Sequence, residues 1–124
     1  MTEWSVSLKM SKSSSDKSGL LGICRKAGKM KFGMDMAKSA CESGEAKAVF
    51  VSADLSAKSL KEIRFCGAKT GVLVFRLSMT MDEIAAAIGK RTGIIAVIDS
   101  GFAKSLRNGA EDVSAQITEF YSEN

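Results

Sequence analysis

The chain of 124 residues contains no histidine. Within it there can be no Ser-His-Asp triad, no Cys-His pair and no imidazole-ligated metal. Cysteine is scarce as well: Cys24, Cys41 and Cys66 are odd in number, form no CxxC and sit among apolar neighbours. Such spacing builds neither a zinc knuckle nor a thioredoxin motif, and it reads as three buried free thiols of a reducing, cytoplasmic compartment. No apolar run approaches the ~20 residues needed to cross a bilayer. The N-terminal stretch has no apolar h-region, so no secretory signal is expected.

What is present is an ordinary globular composition, 45% apolar and 26% charged, at the usual size of one domain. The net charge of +4 is unevenly spread. Residues 25–38 hold Arg25, Lys26, Lys29, Lys31 and Lys38 against a single acid, Asp35. Residues 111–124 hold Glu111, Asp112, Glu119 and Glu123 and no base. A basic body with an acidic tail suits a polyanionic partner, although a charge run alone is more often just a solvated face.

Residues 1–17 read as a flexible extension. Its serine- and lysine-rich part, residues 11–18, buries too little to offset its ordering entropy. Trp4, Val6, Leu8 and Met10 alternate with polar residues, the period of a half-buried strand, so that part either joins a sheet edge or remains a mobile leader. Residues 18–124 read as one domain in which helices and strands alternate. Leu20, Leu21, Ile23 and Cys24 stripe a first helix ending near Ala27-Gly28. Lys29–Phe32 is short and extended, and Gly33 opens a second helix with Met36, Ala37, Ala40 and Cys41 at helical spacing. Residues 47–53 form a strand, and Ser56 caps a third helix carrying Leu60, Ile63 and Cys66 inward. Val72–Leu77 is a strand covered on both faces. Thr80 and Glu83 form a capping box for a fourth helix, Ile94–Ile98 is a buried strand, and Asp99 or Ser100 caps a fifth helix. Val113, Ile117 and Phe120 mark a further C-terminal helix. Strands alternating with helices predict an α/β fold, a three-layer α-β-α sandwich around a four-stranded mixed sheet.

Several motifs resolve into ordinary structure. Gly89-Lys90-Arg91-Thr92 lacks the upstream glycine of a phosphate loop, since position 84 is Ile84, and Arg91 stands where a magnesium-holding hydroxyl should be. Two bases between glycines would suit backbone phosphates; a plain solvated connection fits equally. Asp82-Glu83 and Glu111-Asp112 read as first-turn residues favoured by the helix dipole, not as an acid-base pair. The informative constellation is Lys29-Met30-Lys31-Phe32-Gly33-Met34-Asp35, where a basic turn feeds a glycine that starts a helix. Free amides and a positive dipole end, reinforced by lysines, make such a start an anion site; otherwise it is a solvated turn.

Leu21-Gly22-Ile23-Cys24-Arg25-Lys26-Ala27-Gly28-Lys29 resembles the opening of the bacterial YlxQ-type proteins. Gly33 through Val49 is similar, without a gap, to the core block of the large-subunit ribosomal protein seven-Ae and thirty-e superfamily. Gly89-Lys90 and Asp99-Ser100-Gly101-Phe102-Ala103-Lys104 match further YlxQ-type signatures, so the likeness spans residues 18–107. It implies a ribosomal protein thirty-e-like sandwich that binds structured RNA, typically the kink-turn, through the helix start after the glycine and the loop before the last core strand. Against the family block Gly-x-Asn-Glu-x-x-Lys, Gly33 is kept, while Asp35, Met36 and Ser39 stand at the asparagine, glutamate and lysine positions. Lys31 matches an upstream base; Lys90, Arg91 and Ile94 fall in the second loop. An ionised Asp35 only accepts hydrogen bonds, and Met36 cannot accept from a guanine amino group. Losing two base contacts of about 1–3 kcal/mol each would weaken kink-turn binding by several decades.

The resulting expectation is a monomeric, non-enzymatic, cytoplasmic RNA-binding protein of ribonucleoprotein type, associated with the ribosome or another structured RNA and with no membrane. No catalytic residue, cofactor or metal is expected. Lys29, Lys31, Lys90 and Arg91 would contact phosphates, and Phe32, Gly33, Met34, Asp35, Met36, Ser39 and Ile94 would complete the interface. The alternative is a protein-interaction module on the same fold, with Met34, Met36 and Phe32 as an apolar docking patch.

Overall fold

The computed structural model describes residues 13–115. Its elements in chain order are α1 (Ser13–Lys26), β1 (Met30–Phe32), α2 (Met34–Ser43), β2 (Ala48–Val51) and α3 (Ala57–Thr70), followed by β3 (Val74–Arg76), α4 (Met81–Ile88), β4 (Ile94–Val97), α5 (Ser100–Arg107) and β5 (Glu111–Asp112). The expected segment Trp4–Met10, together with Ile117 and Phe120, lies outside the described residues.

The strands order as β1-β4-β2-β3-β5, with β2 and β3 parallel and the other three neighbouring pairs antiparallel. The sheet is mixed as expected, but it has five strands, not four. The fifth arises where a helical continuation was expected: Glu111 and Asp112 pair with Arg76 and Phe75 instead of opening a helix, and Val113 follows in irregular chain. Local contacts account for the pairing. Gly109 turns the chain at φ 84°, Arg76 forms an ion pair with Glu111 at 3.0 Å, and the Ser114 hydroxyl accepts from the Val74 amide at 2.7 Å. The polar run that read as part of a flexible extension also departs from expectation, because α1 already begins at Ser13. The Lys17 ammonium donates to the carbonyls of Leu106 and Asn108 at the C-terminal end of α5, where helix carbonyls lack partners and the dipole favours a cation.

The alternating strand side chains divide the core. Met30, Ala48, Phe50, Phe75, Ile95 and Val97 face α1, α4 and α5, where they meet Leu21, Cys24, Ile84, Ile88 and Leu106. Val49, Val51, Val74, Ile94 and Ala96 face α2 and α3 and meet Ala37, Ala40, Cys41, Ile63 and Cys66. Burial on both faces explains why β2 and β4 read as unbroken apolar runs. Phe50 and Phe75 stack with ring centroids 5.7 Å apart. Two glycines allow close approach. A Cβ at Gly22 would stand 3.3 Å from the Ala87 carbonyl oxygen, and one at Gly67 would stand 2.7 Å from that of Val72. No helix among the described residues is long and apolar enough to cross a membrane.

The topology gives the sheet two unlike ends. At one end the chain leaves β1, β2 and β3 and enters β4. There the amide of Gly33 donates to Ile94 at 2.9 Å, Ser52 to Gly93 at 3.0 Å, and Ala53 to Met79 at 2.8 Å. The N-termini of α2, α3 and α4 therefore gather on one rim together with the 89–93 loop. α5 starts at the other end, because β4 runs against β2.

Candidate functional site

Three helix starts share this rim, and two are already satisfied. Ser56 accepts from the Ser59 amide at the start of α3. The Thr80–Glu83 capping box closes α4, and the Asp54 carboxylate accepts from the Met81 amide at 3.0 Å. α2 differs: its N-cap is Gly33, at φ 88°, with no side-chain cap. The first-turn amides of α2 are thus the ones open to an outside anion. A positive φ there suits glycine, which has no Cβ to strain.

Beside this start lies a cationic cluster. The Arg25 guanidinium is centred 5.2 Å from the Phe32 ring centroid, and Lys90 Nζ lies 5.9 Å from the same centroid. Both are within cation–π range. Arg25 also donates to the Ile88 carbonyl and packs against Gly89, so α1 holds the 89–93 loop from below. Among the described residues neither Arg25 nor Lys90 has an ion-pair partner. Two unpaired cations over one ring, beside free amides, form a surface suited to phosphate, with a half-buried aromatic edge beneath.

The structure brings only some of the expected residues together. Phe32, Gly33 and Lys90 meet, and Met34, Asp35 and Met36 form the first turn next to them. Met34 packs partly into the α2–α3 core, Asp35 is exposed, and Met36 is half exposed at 50%. Ser39 is exposed one turn further along α2. Lys31 pairs with Ala96, whereas Phe32 pairs with Ile95, so the two side chains leave opposite faces of the sheet edge. Lys29 sits at the other end of β1, where its carbonyl accepts from Ile98. Arg91 turns back onto α4, paired with Asp82 at 2.9 Å and against the Met81 sulfur at 3.7 Å. Ile94 is buried at 5%, and its carbonyl joins the two loops while its side chain serves the core. Lys38, the neighbour of Ser39, is held by Glu62 of α3, whose carboxylate raises the ammonium pKa. It therefore does not stand in for a lysine at position 39.

Sequence reasoning missed Arg25 as a site residue. Its signal lay in the basic run of residues 25–38 and in its helical spacing, four residues after the buried Leu21. Nothing local showed that α1 would carry it to Phe32.

Fold and site together define an α-β-α sandwich with a cationic rim at the helix-start end of its sheet. No family model matches the chain. It is 31% identical over 88 residues to the RNA-binding protein YlxQ of Enterococcus faecium, a match covering 71% of this chain and 84% of that one. The chain belongs to the YlxQ-type family. A protein of unknown function from Bacillus halodurans shares the fold, with a TM-score of 0.70 at 24% identity over 74% of this chain and 93% of that one.

Proposed function

We propose that the chain is a non-enzymatic RNA-binding protein that takes structured RNA on the rim formed by the start of α2, Phe32, Arg25 and Lys90. The observation that carries this reading is the uncapped helix start at Gly33 beside two unpaired cations that share one aromatic ring. The relative's name, RNA-binding protein YlxQ, supports the ligand class. Amides and cations position the phosphates, while Asp35 and Met36, exposed on the first turn, face the bases. A kink-turn in ribosomal or other structured RNA is the proposed target. With Asp35, Met36 and Ser39 at the reading positions, selection rests more on shape and stacking than on bidentate base contacts.

Fluorescence anisotropy with a kink-turn hairpin tests this. Binding should weaken steeply with salt, and Lys90→Glu should lower affinity at least tenfold and reduce the salt slope by about one. Arg91→Glu should do less, because Arg91 is already paired with Asp82. Salt-independent binding, or equal losses for the two variants, would refute the assignment.

The half-exposed Met36 favours one second reading, an apolar contact with a partner protein through the same turn. Met36→Asp should abolish that contact, and RNA binding would then be insensitive to Lys90→Glu.

A further inference from the structure

The end of the sheet away from the rim carries a second basic feature. A cleft of about 280 Å³ opens between α5 and the starts of β2 and β3. Lys47, Lys104 and Arg107 edge it, Ser100 stands at its helix-start corner, and Leu73 and Phe75 line its floor. Leu73 is 43% exposed, so its side chain offers apolar surface to an occupant. Among the described residues no ion pair neutralises the three cations. Asp99 accepts from the Phe102 amide at 2.9 Å, and Asp112 accepts from the Ser114 amide at 2.9 Å. Arg107 also acts on Asp112, though less than Ser114 does.

Cations around an apolar floor match a nucleotide, whose phosphate is anionic and whose base has two apolar faces. An inorganic anion would leave the Leu73–Phe75 floor unused, and an apolar peptide would leave three cations without partners. The cleft lies diagonally across the sheet from Phe32. Three strand spacings and a four-residue strand separate them, roughly 20 Å. At about 3.4 Å per nucleotide along one strand, a nucleotide in the cleft is about six steps from one on the rim.

We propose that this cleft takes one phosphate-bearing nucleotide of a second RNA segment, so that the protein grips RNA at two opposite corners of its sheet. The inference rests on the RNA-binding reading for its ligand class, but the surface is separate from the rim.

Amide chemical shifts of the ¹⁵N-labelled full chain test it, with octauridylate and uridine monophosphate as probes. Octauridylate should move the amides of Leu73, Phe75, Ser100 and Gly101 in a salt-sensitive way. The paired change Lys104→Glu with Arg107→Glu should weaken these shifts at least tenfold and leave those of Gly33–Met36 in place. Lys47→Glu, on a different element, should weaken them independently. Shifts confined to Gly33–Met36 and residues 89–93 would overturn the proposal. Equal cleft shifts from uridine monophosphate at matched nucleotide concentration would replace the RNA segment by a free nucleotide. Cleft shifts produced without RNA by Glu119→Gln with Glu123→Gln would make the chain's own acidic end the occupant, again overturning it. Cleft shifts without rim shifts would sink the rim assignment and leave the cleft as a lone RNA site, overturning the two-corner grip; no shifts at either place would sink both.

Discussion

On the proposed reading three residues set what the rim binds, and they do so by what they withhold. Gly33 supplies no side-chain cap, Met36 supplies no carboxylate, and among the described residues Lys90 has no ion-pair partner. The glycine and the lysine were legible in the sequence, because a glycine opening a helix after a basic turn has a physical meaning without coordinates. Arg25 and the diversion of Arg91 were not, since both depend on which helix ends up over which loop. The cysteines read correctly as buried thiols. Burial raises Cys24 and Cys41 to about 11, with Asp99 adding to the first and Cys66 to the second; burial raises Cys66 as well. All three should resist a thiol reagent in the native protein at pH 8 and react on unfolding. The same shifts carry a pH signature. A thiol whose folded pKa exceeds its unfolded value binds its proton more tightly when folded, so its contribution is intact below about 9 and is lost as the pH climbs toward about 11. The thermal midpoint should fall across that window, and the fall should be shallower in Cys41→Ala. An identical slope in that variant would show that another group titrates.

At the scale of elements, periodicity located four strands and the helices between them because each buries a face with its own repeat. Two features escaped for opposite reasons. β5 has only two exposed acidic residues, Glu111 and Asp112, and owes its pairing to an ion pair and to Ser114, none of which leaves a pattern in hydropathy. The start of α1 is polar in sequence, and Lys17 reaches a distant helix end, a long-range contact that local composition hides. Packing between elements is most exacting at Gly67, where α3 meets the entry to β3. An added Cβ would stand 2.7 Å from the Val72 carbonyl oxygen and 2.9 Å from a Val74 methyl. The backbone oxygen cannot swing away, so Gly67→Ala should cost about 1–3 kcal/mol of stability in a denaturant titration despite alanine's better helix propensity. A stabilised variant would mean that α3 rides further from the sheet than described.

At the scale of the molecule, the proposed function follows from strand direction. β1, β2 and β3 end where β4 begins, which collects three helix starts and the 89–93 loop on one rim; capping then leaves a single start open. The sequence resemblance pointed to the same two loops, Gly33–Ser39 and Lys90–Ile94, and the hydrogen bond from Gly33 to Ile94 joins them. It did not foresee that Lys29 and Lys31 would leave the cluster, because their neighbours are set by β1 register. Photo-crosslinking a kink-turn hairpin that carries 4-thiouridine, with the linked peptides mapped by mass spectrometry, tests the account most directly. It predicts crosslinks within residues 32–36 and 89–93, lost together in Lys90→Glu. Crosslinks confined to the outer faces of α3 and α4, or unchanged by that substitution, would contradict it.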